Sequence, residues 1–184
     1  MARLPNVRPG YTIRYPNRDK AASKAAKAIV VVLLLVSVVL MLLVTIGGWS
    51  KLEGEQPLNF FLIIVYLLCA FYIGRWQRGL LPIAAAMGIV VLIVAVITGT
   101  GAAGTSWFDR NGAAFARPQS LFGGDGLSPD TLGVVTLLLI PVEALLIFFS
   151  MQGFAQGWNV EVEVTTGQAS PAGPPPTSPT PATA

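Results

Sequence analysis

The chain has 184 residues, of which 53% are hydrophobic and only 11% are charged, with a net charge of +3. A soluble domain carries about 25% charged residues, so this composition is typical of an integral membrane protein. The sequence contains no histidine and a single cysteine. It therefore excludes histidine-ligated metal sites, histidine-dependent catalytic triads and an intrachain disulfide. We expect no resident cofactor or metal, no enzyme activity and no nucleic-acid partner.

A basic, polar segment occupies residues 1–27 and carries seven of the twelve Lys and Arg residues. Proline and glycine predict an irregular backbone in its first part, and Asn17 is predicted to cap a following helix. That helix places Lys20, Lys24 and Lys27 on one face. The charges are explained by a role in orienting the chain across the membrane. The alternative is a surface that binds anionic lipid head groups.

Long apolar segments follow, each with about the length that a helix needs to cross a lipid bilayer. They predict an all-α membrane protein in which one four-helix bundle occupies residues 28–157. The predicted spans cover residues 28–48, 58–75, 79–99 and 131–154.

The connection between the third and fourth spans is long, rich in glycine and interspersed with aromatic residues. Connections longer than about 12–15 residues are usually functional or disordered. The spaced aromatic side chains predict that this one lies on the membrane surface or caps the bundle. Ser128 and Pro129 are predicted as the N-cap and the first residue of the fourth helix.

Positive charge is distributed unevenly along the chain. Nine of the twelve Lys and Arg residues lie in the N-terminal segment and in the short connection that contains Arg75 and Arg78. Cytoplasmic segments are enriched in these residues, so both termini are predicted to be cytoplasmic in a plasma-membrane protein. The Ala, Gly, Arg and Pro content favours a bacterial origin.

The segment after the fourth span has two parts. Residues 160–165 alternate valine with polar residues, which is the periodicity of a β-strand. A strand without a partner is not stable, so we expect extended coil, or alternatively an edge that pairs with another chain. The remainder, up to residue 184, is rich in Pro, Ala, Ser and Thr and is predicted to be disordered.

Small residues mark one face of the third span. Ala84 and Gly88 are four residues apart, as are Ala95 and Gly99, and all four lie close to one face of the helix. Such a face allows tight packing of membrane helices. We expect it to pack within the bundle, with a homodimer interface as the alternative. Pro141 in the fourth span is assigned to the same packing set.

Glu143 lies near the centre of the fourth span, where an unpaired charge costs several kcal/mol. Thr136 and Ser150 lie seven residues before and after it, close to two helical turns, so the three residues share one stripe. Ser37 and Tyr66 lie at a similar depth in the first and second spans. The sequence predicts a polar layer in which Tyr66 or Ser37 forms a hydrogen bond with a neutral Glu143.

Three roles are open for this acid. The first hypothesis is that it ties helices together, the second that it pairs with a cation on another membrane subunit, and the third that it carries protons or a transported cation. The expected function is that of a non-catalytic accessory or assembly subunit of a bacterial plasma-membrane complex. Its partner would be another membrane protein or further copies of itself. The alternative is a small oligomeric transporter or channel subunit that uses Glu143 to move protons or cations.

Overall fold

The computed structural model describes residues 10–52, 54–101, 106–111 and 117–165. Within this part of the chain, four helices are long and apolar enough to cross a membrane. A short strand and one helical turn precede the first of them, and a second strand follows the last. The elements are β1 Tyr11–Arg14, α1 Pro16–Asp19, α2 Ala21–Gly47, α3 Gln56–Gly74, α4 Leu81–Thr100, α5 Pro129–Ala155 and β2 Val162–Thr165.

The prediction of a mostly helical chain with four membrane-length helices is confirmed. The basic helix predicted before the apolar block and the first predicted span form one helix, which begins at Ala21, because the alanine-rich segment continues into the apolar block without a break. The predicted disorder of the C-terminal tail concerns residues 166–184, which lie outside the described residues.

Each long helix turns a narrow stripe of residues toward the bundle interior. In α5 the stripe advances by alternating steps of four and three residues, the spacing of side chains that pack between nearly parallel helices. It includes polar and small residues as well as leucine. Its members are Leu132, Thr136, Leu139, Glu143, Leu146, Ser150 and Gly153.

The small-residue face of α4 packs against α5 within the same chain. A Cβ atom added to Gly99 would lie 3.0 Å from Leu137 Cδ2, and one added to Gly88 would lie 3.1 Å from Ile147 Cγ1. Ala84 and Ala95, on the same face of α4, are each 1% exposed. The face therefore serves packing inside the bundle.

Pro141 does not belong to that packing set. It lies inside α5, which continues as one helix through it, but its side chain is on the exposed face. A proline removes one amide donor and crowds the preceding turn. An outward position keeps the bulk of the ring away from the interface with α4.

The described parts of the connection between α4 and α5 close the end of the bundle at which α2 and α4 finish. Trp107 is 5% exposed and packs with Leu52 and Leu132. The amides of Leu121 and Leu127 donate to the carbonyl oxygens of the last two residues of α2, at 3.1 and 2.9 Å. Of the two arrangements expected for this connection, these residues adopt the cap, and we refer to this end as the capped end.

The start of α5 follows the sequence prediction. The Ser128 Oγ accepts a hydrogen bond from the Thr131 amide at 3.2 Å, and Pro129 occupies the first helical position. Asn17, in contrast, is not an N-cap. It lies within α1, its side chain donates to the Gly157 carbonyl at 3.0 Å, and α2 begins after Lys20 without a side-chain cap.

The two strands pair with each other at the opposite end of the bundle. They are antiparallel, with Tyr11 opposite Thr165 and Arg14 opposite Val162. The predictions of irregular backbone before α2 and of extended coil after α5 are therefore wrong for these residues. The C-terminal strand pairs with the N-terminal segment of the same chain.

Candidate functional site

The polar centre of the bundle is the pair formed by Glu143 and Tyr66. The Glu143 side chain is fully buried, and Tyr66 is 1% exposed. The Tyr66 hydroxyl lies 2.9 Å from Glu143 Oε2 and donates a hydrogen bond to it. Their helices, α5 and α3, are joined by this bond across the bundle interior.

The absence of a side chain at Gly88 brings α4 close to the same carboxyl group. A Cβ atom at that position would lie 3.2 Å from Glu143 Oε2. An alanine would therefore press on the atom that accepts the Tyr66 hydrogen bond. Gly88 in α4 therefore leaves room for the Glu143 carboxyl group.

The other residues of the predicted layer occupy different positions around the pair. Ser37 of α2 is fully buried and lies close to the Glu143 carboxyl, without forming a hydrogen bond of good geometry. The Thr136 hydroxyl donates to the Leu132 carbonyl of its own helix at 2.8 Å. Ser150 is also fully buried, and its Oγ finds no hydrogen-bond partner in the described residues.

The structure thus brings Tyr66, Glu143, Ser37 and Gly88 together, whereas Thr136 and Ser150 share only the stripe of α5. Glu143 Oε1 also finds no hydrogen-bond partner among the described residues.

Apolar layers enclose the pair on both sides along the bundle axis. In each of the four long helices, the residues about one turn before and one turn after the level of the pair are buried and hydrophobic. None of these side chains is more than 6% exposed. These side chains belong to one continuous cluster. The layer toward the capped end is Met41, Leu62, Val91 and Leu139, and the layer toward the opposite end is Leu34, Ala70, Ala84 and Leu146.

A second organised region lies at the end of the bundle that carries the strands. We call it the collar, and it consists of residues 10–20, 75–80 and 156–165. Trp158 is its centre and is fully buried. The Trp158 ring packs edge-to-face on Trp76, with ring centroids 5.3 Å apart, and lies against Gly153, where an added Cβ would be 3.2 Å from it.

Basic side chains join parts of the collar to each other and to α2. Arg18 donates to the Trp158 carbonyl at 3.1 Å and to Asn159 Oδ1 at 3.1 Å. Lys27 Nζ lies 4.0 Å from the Trp76 ring centroid and 3.4 Å from the Gly74 carbonyl oxygen. These cations therefore interact with aromatic faces and helix ends within the chain.

The predicted lysine face of α2 is divided by these contacts. Lys20 and Lys24 are exposed, whereas Lys27 is half-buried on the Trp76 ring. Two of the three lysines thus stay accessible to a charged surface.

The collar also contains one hydrogen bond between titratable side chains. The Tyr15 hydroxyl donates to Glu161 Oε1 at 3.0 Å, just beyond the paired strands. This bond, together with the negative charge of Glu161, raises the pKa of the Tyr15 phenol above its usual value.

The sequence predicts the strand periodicity of residues 160–165 but not their pairing with residues 11–14, although two signals of the collar are present. Residues 11–15 alternate large side chains with Thr12 and Arg14, as residues 160–165 alternate valine with polar residues. An even number of spans brings both segments to the same side of the membrane. The second signal is the pair of glycines around Trp158. Gly153 makes room for the ring, and Gly157 has a positive φ of 62° that turns the chain back toward the bundle.

Within the described residues, His, Cys, Asp and Glu side chains form no group of three or more that could hold a metal ion. Comparisons of the chain with family models, curated proteins and solved structures give no match.

Proposed function

We propose that this chain is a non-catalytic, multi-pass protein of a bacterial plasma membrane that serves as an accessory or assembly subunit of a membrane complex. Both termini, and with them the collar, would be cytoplasmic. The concentration of Lys and Arg in the segments that form this end supports that orientation.

The environment of Glu143 favours a structural role for the acid. Its carboxyl group is fully buried, bonded to Tyr66 of the same chain and covered by apolar layers in both axial directions. A proton relay needs further acids or a chain of water molecules, and the apolar layers oppose water entry. A cation from another subunit would have to pass through the packed interior. We infer that the pair ties α3 to α5.

The collar is the part of the molecule best suited to bind a partner, and its exposed hydrophobic side chains carry this proposal. Tyr11, Val160 and Val162 are 37%, 49% and 45% exposed, at a polar end of the bundle beyond the apolar helices. The two-stranded sheet that carries two of them is fixed to the bundle by Arg18 and Trp158. An isolated two-stranded sheet is marginal in stability, and another strand or surface would complete it.

A photo-crosslinking residue at Val162 tests the proposal in native membranes. We expect a crosslinked product that contains a second polypeptide. The matched control is the same residue at Phe148, which is 59% exposed on the apolar face of α5 and should react mainly with lipid. Crosslinking at Val162 that yields no polypeptide adduct, or no more than at Phe148, would contradict the proposed contact.

A second candidate function is that of a small oligomeric transporter or channel subunit that uses Glu143 in proton or cation movement. It is favoured by one observation, the lack of a hydrogen-bond partner for Glu143 Oε1 and Ser37 Oγ among the described residues. Flux in proteoliposomes containing the parent chain or Glu143→Gln tests it. A flux that the substitution abolishes supports this candidate, and an unchanged flux removes the residue from the mechanism.

A further inference from the structure

The capped half of the bundle contains a cleft that the proposed function does not use. Side chains from all four long helices line it, and its cavity volume is about 70 Å³. α3 and α4, joined by a short connection at the collar end, make few contacts with each other, and side chains of both helices line the cleft.

The floor of the cleft is apolar and closed. It is formed by Met41, Leu62, Val91 and Leu139, which is the same layer that covers the Glu143–Tyr66 pair on this side. The Thr136 hydroxyl also lines the cleft, one helical turn nearer the capped end than Leu139, but it already donates to the Leu132 carbonyl of its own helix. Water would be bound weakly against such a surface. The lining therefore favours an apolar chain.

The rim of the cleft, in contrast, is polar. Glu55 and Asn59 at the start of α3 and Thr98 near the end of α4 line its outer part, and Trp107 closes it from the cap. Glu55 is exposed, and its carboxylate forms no ion pair with any of the residues described. Lys51, in the same connection as Glu55, is not part of the lining. The rim thus presents a negative charge at the level where lipid head groups meet water.

The cleft also opens sideways toward the surroundings of the bundle. Val94 of α4 lines it and is 44% exposed. In a bilayer, a gap between two helices at this depth faces the acyl chains of the outer half of the membrane. An empty gap would forfeit dispersion contacts on all its walls, so a neighbouring chain is drawn into it.

We propose that the cleft binds one phospholipid with an amine-bearing head group, whose acyl chain lies on the apolar floor and whose ammonium group lies near Glu55. The proposal depends on the membrane insertion inferred above but not on the identity of a protein partner. It assigns a ligand class to a site that is separate from the Glu143 pair and from the collar.

Lipid retention tests the site. Protein purified in a mild detergent from membranes of known lipid composition is analysed by native mass spectrometry and by extraction of the bound lipid. We expect one retained phospholipid, enriched in phosphatidylethanolamine relative to the membrane. Val94→Phe fills the open side of the cleft and should lose the lipid, whereas Ile93→Phe, on the exposed face of the same helix, should keep it.

Glu55→Lys separates head-group recognition from chain binding. Reversal of the rim charge should retain one phospholipid but shift its class toward anionic species. Quenching of Trp107 fluorescence by brominated acyl chains should be strong in the parent and lost in Val94→Phe.

Equal lipid retention by Val94→Phe and Ile93→Phe, or a polypeptide bound in place of lipid and lost in Val94→Phe, would overturn the proposal. A retained lipid with the composition of the bulk membrane would overturn the head-group assignment. Failure of the parent chain to stay with the membrane fraction after alkaline washing would instead contradict membrane insertion itself, so the two failures are distinguishable.

Discussion

The hydrogen bond between Tyr66 and Glu143 leads to a quantitative prediction about stability. Tyr66→Phe removes the donor and leaves the buried Glu143 Oε2 without the partner that lies at 2.9 Å. An unsatisfied buried polar group costs about 1–3 kcal/mol. Replacement of both partners by apolar groups is far less costly, so the same Tyr66→Phe change in a Glu143→Leu background should destabilise much less.

The difference between the two backgrounds measures the coupling of the pair. Hydrogen bonds between membrane helices contribute about 0.6–2 kcal/mol, and we expect a coupling energy in this range. The assay is reversible unfolding in lipid–detergent micelles for the parent, both single variants and the double variant. Tyr72→Phe, a change on the same helix at a side chain that is 44% exposed, is the control and should shift stability by less than about 0.5 kcal/mol.

One result would refute the structural role assigned to the pair. If Tyr66→Phe costs the same in the parent and in the Glu143→Leu background, the two side chains are not coupled. Glu143 would then need a different partner, and the assignment of the acid as a link between α3 and α5 would be wrong.

Three further predictions follow from particular contacts. Gly88→Ala should destabilise the bundle, because the added Cβ would lie 3.1–3.2 Å from Ile147 and Glu143, whereas Gly74→Ala, with nothing within 4 Å, should not; unfolding in micelles compares them. Trp158→Ala should lower the free energy of unfolding by about 3–5 kcal/mol, as for other fully buried aromatic residues. It should also raise the rate of amide hydrogen exchange in both collar strands, and unchanged protection of these strands would contradict the role given to this ring. Tyr15 should ionise at higher pH in the parent than in Glu161→Gln, because its hydrogen bond to the carboxylate persists below the ordinary phenol pKa and is lost as the pH rises through the raised pKa. Ultraviolet titration detects the difference, and identical titration curves for the two proteins would exclude the bond.

The helices were predictable because the bilayer imposes their length, and each apolar block of the sequence matches it. The interior face was predictable only in part. Hydrophobic periodicity carries little information when lipid and core are equally apolar, so small and polar residues such as Gly88 and Glu143 give the clearest signal. Tyr66 could be selected because a phenol at the depth of an acid has few other partners.

The collar could not be predicted in the same way. Its strands are four residues each and more than a hundred residues apart in the sequence, so the local alternation at residues 160–165 indicates a strand without indicating its partner. Their pairing depends on Arg18 and Trp158, whose roles become visible only when the ends of α2 and α5 are placed side by side. The outward position of Pro141 likewise depends on the rotation of α5 against α4, which composition alone does not determine.

The central claim is that this chain functions as a subunit of a larger membrane complex. Purification from its own membranes in a gentle detergent, followed by native mass spectrometry of the intact particles, tests it most directly. We predict a particle in which this chain is associated with another polypeptide or with further copies of itself. Recovery of the chain only as a monomer, with no co-purifying protein, would contradict the claim.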